Sequence, residues 1–364
     1  MNTDFLISLQ VKRGRVEMKK VAVIGYGGQG AWHCAQIEKS IAAELAGTCD
    51  INETRMKAAK KKGIRLYDSN EAIFGDKSVD IIVVATPNDT HKELVIKALK
   101  SGHNVICEKP AALSVTEFDC MLKAEKESGK LLSVHQNRRW DTDFLSVKSV
   151  IDSGEIGDVI RIESRVHGSR GIPSDWRTKR EYGGGMIYDW GVHLIDQMLK
   201  LIDEKVISEN CITTNITNKE VDDGFMLELK FESGKTAHVE VGTYNFIALP
   251  RFYMQCEKGT LCQNDWQHNA NVAKLTRWIE KDVTPIQNAA GITRTMAPRD
   301  SLTLDTYEIE RPVSDVHEFY INFCQAIDGT SEQLVKNCEV RRALCVVEAA
   351  FESARLGKTV KVNI

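Results

Sequence analysis

Asp189 and His193 lie four positions apart, directly behind Gly183, Gly184 and Gly185. On a helix, positions i and i+4 share one face, so this spacing sets a carboxylate beside an imidazole and projects both into whatever space the glycines leave. A histidine titrating near neutrality and oriented by a carboxylate can take a proton from a substrate hydroxyl, a contribution of roughly 10² to 10⁴ in rate. An ordinary surface or structural pair has the same spacing, so the pair acquires meaning only from the elements that position it.

The first of those elements is a nucleotide-type turn. Val21-Ala22-Val23-Ile24 is a short continuous apolar run, as expected of a parallel strand covered on both faces. Gly25-Tyr26-Gly27-Gly28-Gln29-Gly30 follows and fits G-x-G-x-x-G, ahead of a helix-compatible segment from Ala31 to Ala43. The first glycine permits the tight turn, the second lets backbone approach a pyrophosphate, and the third lets helix pack on strand. The helix N-terminus then supplies N–H groups and dipole to the anion. A second apolar stretch, Glu44 to Cys49, ends in Asp50, twenty residues past Gly30, where an acid accepts hydrogen bonds from an adenosine ribose. Such a carboxylate repels a 2′-phosphate and predicts NAD over NADP, although Arg55 lies near enough to favour the phosphate. The plainer alternative for Asp50 is a turn or cap residue.

Alternation continues with a strand over Val79–Ala85, the loop Thr86-Pro87-Asn88-Asp89-Thr90-His91, and a helix to Lys100. A strand at Val105–Cys107 leads into Glu108-Lys109-Pro110, a helix through Ser128 and a last strand at Leu131–Val134. Strands alternating with helices predict a doubly wound parallel sheet of Rossmann type within an α/β fold. Ligands on such sheets bind beyond the carboxyl ends of the strands, where Thr86, Asn88, Glu108 and Lys109 fall. His91 is either a cofactor contact or a first-turn helix residue without a ligand.

The chain has 364 residues, enough for two domains, with 42% hydrophobic and 27% charged residues, as in an ordinary globular protein. A net charge of -3 without any basic block offers no attraction to nucleic acid or to anionic membranes. Ten cysteines without a C-x-x-C pair fit a reducing compartment, and the expected location is cytoplasmic. Cys256, Cys262 and His268 match no zinc spacing, so no metal is expected. The apolar patch Phe5–Leu9 is too short for a signal h-region or a span, and residues 1–17 read as a disordered leader or an upstream start.

Residues 18–135 thus form the expected dinucleotide-binding domain and 136–364 a substrate-binding and oligomerisation α+β domain. At the crossing, His135 and Asn137 either line the cleft or only tie the domains together. A helix at Asp143–Ser153 and a strand at Val159–His167 lead to a loop in which Trp176 is suited to stack on a sugar face and Arg177 to bind hydroxyls or a carboxamide. Surface packing is the competing reading of that loop. Short runs at 211–217, 225–231, 236–241, 252–257 and 260–263 predict a large, mostly antiparallel open sheet covered by helices on one face. The uncovered face predicts a homo-oligomer (dimer, tetramer or larger) built sheet to sheet. The stretch 265–300 reads as irregular, with Arg294 and Arg299 either solvated or reaching a ligand. Helices at 314–327 and 337–355 and a strand at 359–364 close the chain.

Four motifs in this order resemble the glucose-fructose oxidoreductase/inositol dehydrogenase/rhizopine catabolism (Gfo/Idh/MocA) family: Gly25–Gly30 with Asp50; Ala85–His91; Cys107-Glu108-Lys109-Pro110; and Gly183–His193. The resemblance runs from about Lys20 to the C-terminus. It implies a nicotinamide-dependent oxidoreductase acting on a sugar, a cyclitol or a derivative such as a glycoside, with 3-keto sugars among the products its members form. It also implies Lys109, Asp189 and His193 as a catalytic trio. The chemistry agrees: oxidising a secondary alcohol removes the hydroxyl proton as hydride leaves carbon for the nicotinamide. His193 is then the base and Asp189 fixes its tautomer and stabilises the imidazolium. Lys109 holds the oxygen and stabilises developing alkoxide, or exchanges the proton itself. The cofactor-contact set is Gly25, Tyr26, Gly27, Gly28, Gln29, Gly30, Asp50, Thr86, Asn88, His91, Glu108 and Lys109. The alternatives are a non-catalytic NAD-binding regulator or scaffold of the same fold and a reductase of an unsaturated or imine substrate.

Overall fold

The computed structural model describes residues 18–278, 285–293, 296, 298–299 and 301–364. Five parallel strands, β1 (Lys19–Ile24), β2 (Ala43–Cys49), β3 (Ile81–Val84), β4 (Asn104–Cys107) and β5 (Leu132–Val134), form one sheet in the order β2-β1-β3-β4-β5. The order reverses between β1 and β3, and a doubly wound sheet opens its ligand crevice at that reversal. Helices α1 (Gly28–Ile37), α2 (Glu53–Lys61), α3 (Asn70–Gly75), α4 (His91–Lys100) and α5 (Val115–Ser128) connect the strands. Past Lys19, Lys20 and Asn104 at their starts, β1, β3 and β4 are apolar, and Val21, Val23, Ile82, Val83 and Val105 are fully buried, as strands sandwiched between helix layers require. Asn52 and Ser114 cap α2 and α5 by accepting backbone N–H bonds, which sets where those helices begin.

After α6 (Thr142–Ser153) comes a nine-stranded sheet in the order β15-β12-β11-β10-β6-β9-β8-β7-β16. Its strands are β6 (Val159–His167), β7 (Val206–Thr214), β8 (Gly224–Phe231), β9 (Thr236–Gly242), β10 (Phe252–Cys256), β11 (Gly259–Gln263), β12 (Ala270–Leu275), β15 (Leu304–Ile309) and β16 (Val360–Lys361). Every neighbouring pair is antiparallel except the central β6 and β9, which run parallel. A short hairpin, β13 (Ile286–Asn288) with β14 (Gly291–Thr293), stands apart from it. Residues alternate strictly along β9, and Ala237, Val239 and Val241 pack against α6, α7 (Val192–Leu201) and α9 (Asn337–Leu356).

Several expectations change here. The segment 265–300 contains β12, a full member of the sheet, and the hairpin; Asn271, Gln287 and Asn288, among the polar residues that made it look irregular, lie on exposed strand positions. Arg294 lies outside the described residues, and the Arg299 guanidinium stacks 4.4 Å over the Trp278 ring. Two C-terminal helices add to the core of the five-stranded sheet. Phe319, Tyr320 and Phe323 of α8 (His317–Ile327), with Val340 and Leu344 of α9, belong to the core of the five-stranded sheet. The uncovered face of the large sheet carries ion pairs, Arg161 with Glu163 at 2.8 Å, Arg165 with Glu240 at 3.1 Å and His238 with Glu228 at 2.7 Å. The same face also exposes Ile212, Met226 and Tyr253, so it mixes apolar and charged side chains. Among the described residues, no helix is long and apolar enough to cross a membrane.

Candidate active site

A cleft of about 830 Å³ runs from the glycine turn to α7, within the range of small-molecule and cofactor sites. Its first end is made of backbone. Gly25 sits at φ +93°, and a Cβ there would lie 2.4 Å from the Ala85 carbonyl oxygen of the next strand. A Cβ on Gly30 would lie 1.8 Å from the Gly25 carbonyl oxygen, so only glycine lets α1 pack this close to the turn. Gly28 has open space above it, and Gly27, the N-cap of α1, lacks a side-chain cap. The first N–H groups of α1 are therefore free to meet an anion.

Asp50 ends β2 with its carboxylate held in place: Oδ2 accepts from Tyr26 N–H at 2.7 Å and Oδ1 from Asn52 N–H at 2.7 Å. Arg55 reaches within 3.4 Å of the same Oδ2. Glu108, at the end of β4, is buried and accepts from Gln29 Nε2 at 3.1 Å, with His33 Nε2 and His135 Nδ1 each at 2.8 Å. Burial pushes this carboxyl up, but the His135 and His33 bonds outweigh it and hold the pKa well below the usual range. Ligand-type atoms of His33, Glu108 and His135 fall within 4.8 Å of one another. Their 2.8 Å contacts are hydrogen bonds in which the ring nitrogens donate, so the cluster offers protons where a metal needs lone pairs. Cys256 and Cys262 point to opposite faces of the β10–β11 pair, and His268 turns to Asp265 at 2.8 Å, so these three share no site.

At the other end, Lys109 Nζ donates to the Asp189 carbonyl at 2.8 Å and lies 3.1 Å from its Oδ1, while Arg177 Nε is 3.2 Å from the same oxygen. Burial raises the Asp189 pKa, but the two cations more than offset it and hold the carboxyl below its usual value. His193, 4% exposed, lines the cleft, and its Nδ1 has no hydrogen-bond partner among the described residues. Burial, together with the Lys109 and Arg138 cations, drives its pKa well below 6.5. The expected Asp189–His193 contact is thus replaced by an Asp189–Lys109–Arg177 cluster. The physical reason is local: Ile187–Gly191 forms a single π-turn before α7 begins at Val192, and two cations outcompete a neutral imidazole for the carboxylate.

Close approach of neighbouring chain requires the three glycines. A Cβ on Gly184 would lie 2.2 Å from the Arg177 carbonyl oxygen and one on Gly185 2.3 Å from Asp222 Oδ1, while Asn88 Nδ2 donates to the Gly183 carbonyl at 2.8 Å. They fold the 175–185 loop against itself and against the first sheet's loops. Of the expected contacts, Gly25, Gly27, Gly28, Gln29, Asp50, Thr86, Asn88, Glu108, Lys109, Asn137, Trp176, Arg177, Asp189 and His193 line the cleft. Tyr26, Gly30, His91 and His135 do not. Tyr26 turns its side chain inward and Gly30 acts through packing. His91 is fully buried between the Pro110 carbonyl at 2.8 Å and the Thr86 carbonyl at 3.0 Å, and His135 serves Glu108 from behind. Arg138 and Trp190 line the cleft without having been singled out in the sequence; the Arg138 guanidinium stacks 4.1 Å over the Trp190 ring. Trp190 sits between the marked Asp189 and His193, which was the available signal.

Comparison with known proteins agrees with this architecture. Residues 19–136 match the family model described as "Oxidoreductase family, NAD-binding Rossmann fold", and residues 144–262 match the "GFO/IDH/MocA C-terminal domain". The crystal structure of an NAD-binding protein from Listeria innocua is 41% identical, with a TM-score of 0.92 over 95% of this chain and 100% of that one. The uncharacterized oxidoreductase YdgJ of Escherichia coli is 35% identical over 184 residues, 50% of this chain and 53% of that protein. The scyllo-inositol 2-dehydrogenase (NADP(+)) IolW of Bacillus subtilis is 30% identical over 231 residues, 62% and 63% of the two chains. The match thus spans between half and two thirds of these curated relatives' length. With a glycine cradle ahead of α1, a parallel sheet ordered 2-1-3-4-5 and a large, mostly antiparallel second sheet, the chain belongs to the Gfo/Idh/MocA family of NAD-binding Rossmann-fold oxidoreductases.

Proposed function

We propose that the protein is a dehydrogenase that oxidises a secondary hydroxyl of a sugar, cyclitol or glycoside, with NAD as its preferred nicotinamide cofactor. The observation that carries this reading is the Lys109–Asp189–His193 end of the cleft, continuous with the Gly25–Gly30 cradle. The cradle fits a pyrophosphate and Asp50 fits a ribose diol; a nicotinamide bound there supplies the hydride acceptor. His193, held neutral by its surroundings, takes the hydroxyl proton. Lys109 donates a hydrogen bond to the substrate oxygen and stabilises negative charge as it develops. Asp189 is reassigned: it orients the Lys109 ammonium instead of the imidazole. Arg177 and Trp176 close the substrate side. Homo-oligomer assembly through the open sheet is part of the same proposal, with the exposed Ile212, Met226 and Tyr253 on that face as its apolar contacts; a monomer mass by light scattering at micromolar protein removes it.

A panel of polyols, aldoses and glycosides offered with NAD and with NADP, and read as reduced-nicotinamide absorbance, tests the reading. His193→Ala is expected to lower kcat by roughly 10² to 10⁴. Turnover unchanged in that variant removes the base assignment. Normal cofactor binding without turnover of any member of the panel favours the non-catalytic regulator, and turnover confined to unsaturated or imine compounds favours the reductase.

A further inference from the structure

A second pocket of about 460 Å³ adjoins the cleft and shares two of its walls, Arg138 and Trp190; Asp141, Asp143, Trp266 and Arg311 complete it. We propose that it is a second sugar subsite, holding a ring linked to the one being oxidised, so that the substrate is a glycoside or disaccharide and not a free monosaccharide or cyclitol. The inference rests on the dehydrogenase reading above.

Four observations carry it. The Trp266 ring is 38% exposed and packs on Trp190 at 5.9 Å and 32°, which holds its outer face in place as an apolar surface of the kind that stacks on the C–H face of a sugar ring. The charged lining balances, Asp141 and Asp143 against Arg138 and Arg311, which suits a neutral ligand rich in hydroxyls better than an ion. Asp143 is 1% exposed and is paired with the buried Arg251 guanidinium, whose Nε lies 3.0 Å from its Oδ2. This ion pair fixes the floor of the pocket, and the polar groups left to meet ligand hydroxyls are those of Asp141, Arg138 and Arg311 around it. The walls are also built: Arg138 Nη1 donates to Asp141 Oδ2 at 2.8 Å, and Arg311 Nε donates to Thr142 Oγ1 at 3.1 Å. The shared wall leads to the chemistry, because the Trp190 ring is 6.1 Å from the His193 ring. A glycosidic bond passing Trp190 and Arg138 connects a ring beside His193 with a ring stacked on the outer face of Trp266.

The test compares myo-inositol, glucose and the methyl glucosides with maltose, cellobiose, trehalose and sucrose, using the full chain and NAD, in wild type and Trp266→Ala. At least one disaccharide or glycoside is expected to exceed its parent monosaccharide in kcat/KM by about tenfold or more, and Trp266→Ala to bring that ratio close to one through KM. Disaccharides no better than their monosaccharides, or a ratio unchanged in Trp266→Ala, overturns the proposal. If wild type oxidises none of the sugars, the dehydrogenase reading fails on its own, and the subsite is judged by saturation-transfer NMR. Saturation reaching a disaccharide ring in wild type and lost in Trp266→Ala supports it; no transfer, or transfer equal in both, overturns it.

Discussion

Neutralising Asp50 should shift cofactor choice toward NADP. In Asp50→Asn the side chain keeps its shape and one acceptor, and Arg55, whose Nη1 lies 3.4 Å from Oδ2, loses its partner. A ribose hydroxyl bonded to the carboxylate loses a charge-assisted hydrogen bond, about 1.5–3 kcal/mol, which weakens NAD roughly 10- to 150-fold. A 2′-phosphate about 5 Å from the native carboxylate is repelled by about 3 kcal/mol per unit charge at an effective dielectric of 20, and by about a quarter of that in water-like surroundings. Arg55 is half exposed and screens part of this field, so we take the lower half of that range. The two effects together lower the NAD-over-NADP preference by about 10² or more. Calorimetric titration of both oxidised cofactors into wild type, Asp50→Asn and Asp50→Asn/Arg55→Ala measures it without any substrate, and the double variant should lose the NADP affinity that the single one gains. Asp50 also holds the Tyr26 and Asn52 N–H groups, so a melting curve must show that Asp50→Asn is folded at the titration temperature. A preference altered by less than about threefold in a folded variant, well below 1 kcal/mol, refutes the ribose-and-repulsion argument.

Gly30→Ala, whose Cβ would meet the Gly25 carbonyl oxygen at 1.8 Å, is expected to abolish binding of both cofactors or to unfold the first sheet; titration and circular dichroism report which, and near-normal affinity removes the packing role. Because burial and neighbouring cations place the His193 pKa well below 6.5, this base stays neutral on acidification, and the acidic limb of kcat/KM against pH should fall clearly below pH 6.5; a limb at or above that value contradicts the assignment. Glu209 is fully buried, neither of its oxygens has a hydrogen-bond partner among the described residues, and burial raises its pKa to about 9. Its folded pKa lies above the unfolded value, so it is protonated in the fold and stability declines as pH rises from the unfolded pKa toward about 9, by at most ~6 kcal/mol at ~1.4 kcal/mol per pH unit. Glu209→Gln should flatten that decline in denaturant titrations at pH 5 and pH 8, and equal slopes in the two proteins would count against it.

Much of the first half was legible because its signals are local. An apolar run followed by glycines at fixed spacing specifies a strand, a turn and a helix through φ angles and Cβ sterics, and Asp50 follows from the length of one strand–helix–strand unit. Alternation along β6, β8 and β9 was equally readable, since a period of two needs only neighbouring residues. Partner choice was not. Asp189 turns to Lys109, 80 residues away, instead of to the histidine one turn on, because two cations surround it in space. His91 and His135 carry the residue types of a cleft, yet the fold buries both behind it, where backbone carbonyls and Glu108 need donors. The return of α8 and α9 to the first core has no mark in their helical period, which records a buried face but not what covers it. Spacing and backbone sterics therefore specified the scaffold and the residue types of the site. Which charges meet, which histidine stays unpaired and where a second ring can sit were set only when distant strands and loops packed together, since Coulomb and hydrogen-bond energies depend on distances in space that sequence separation does not encode.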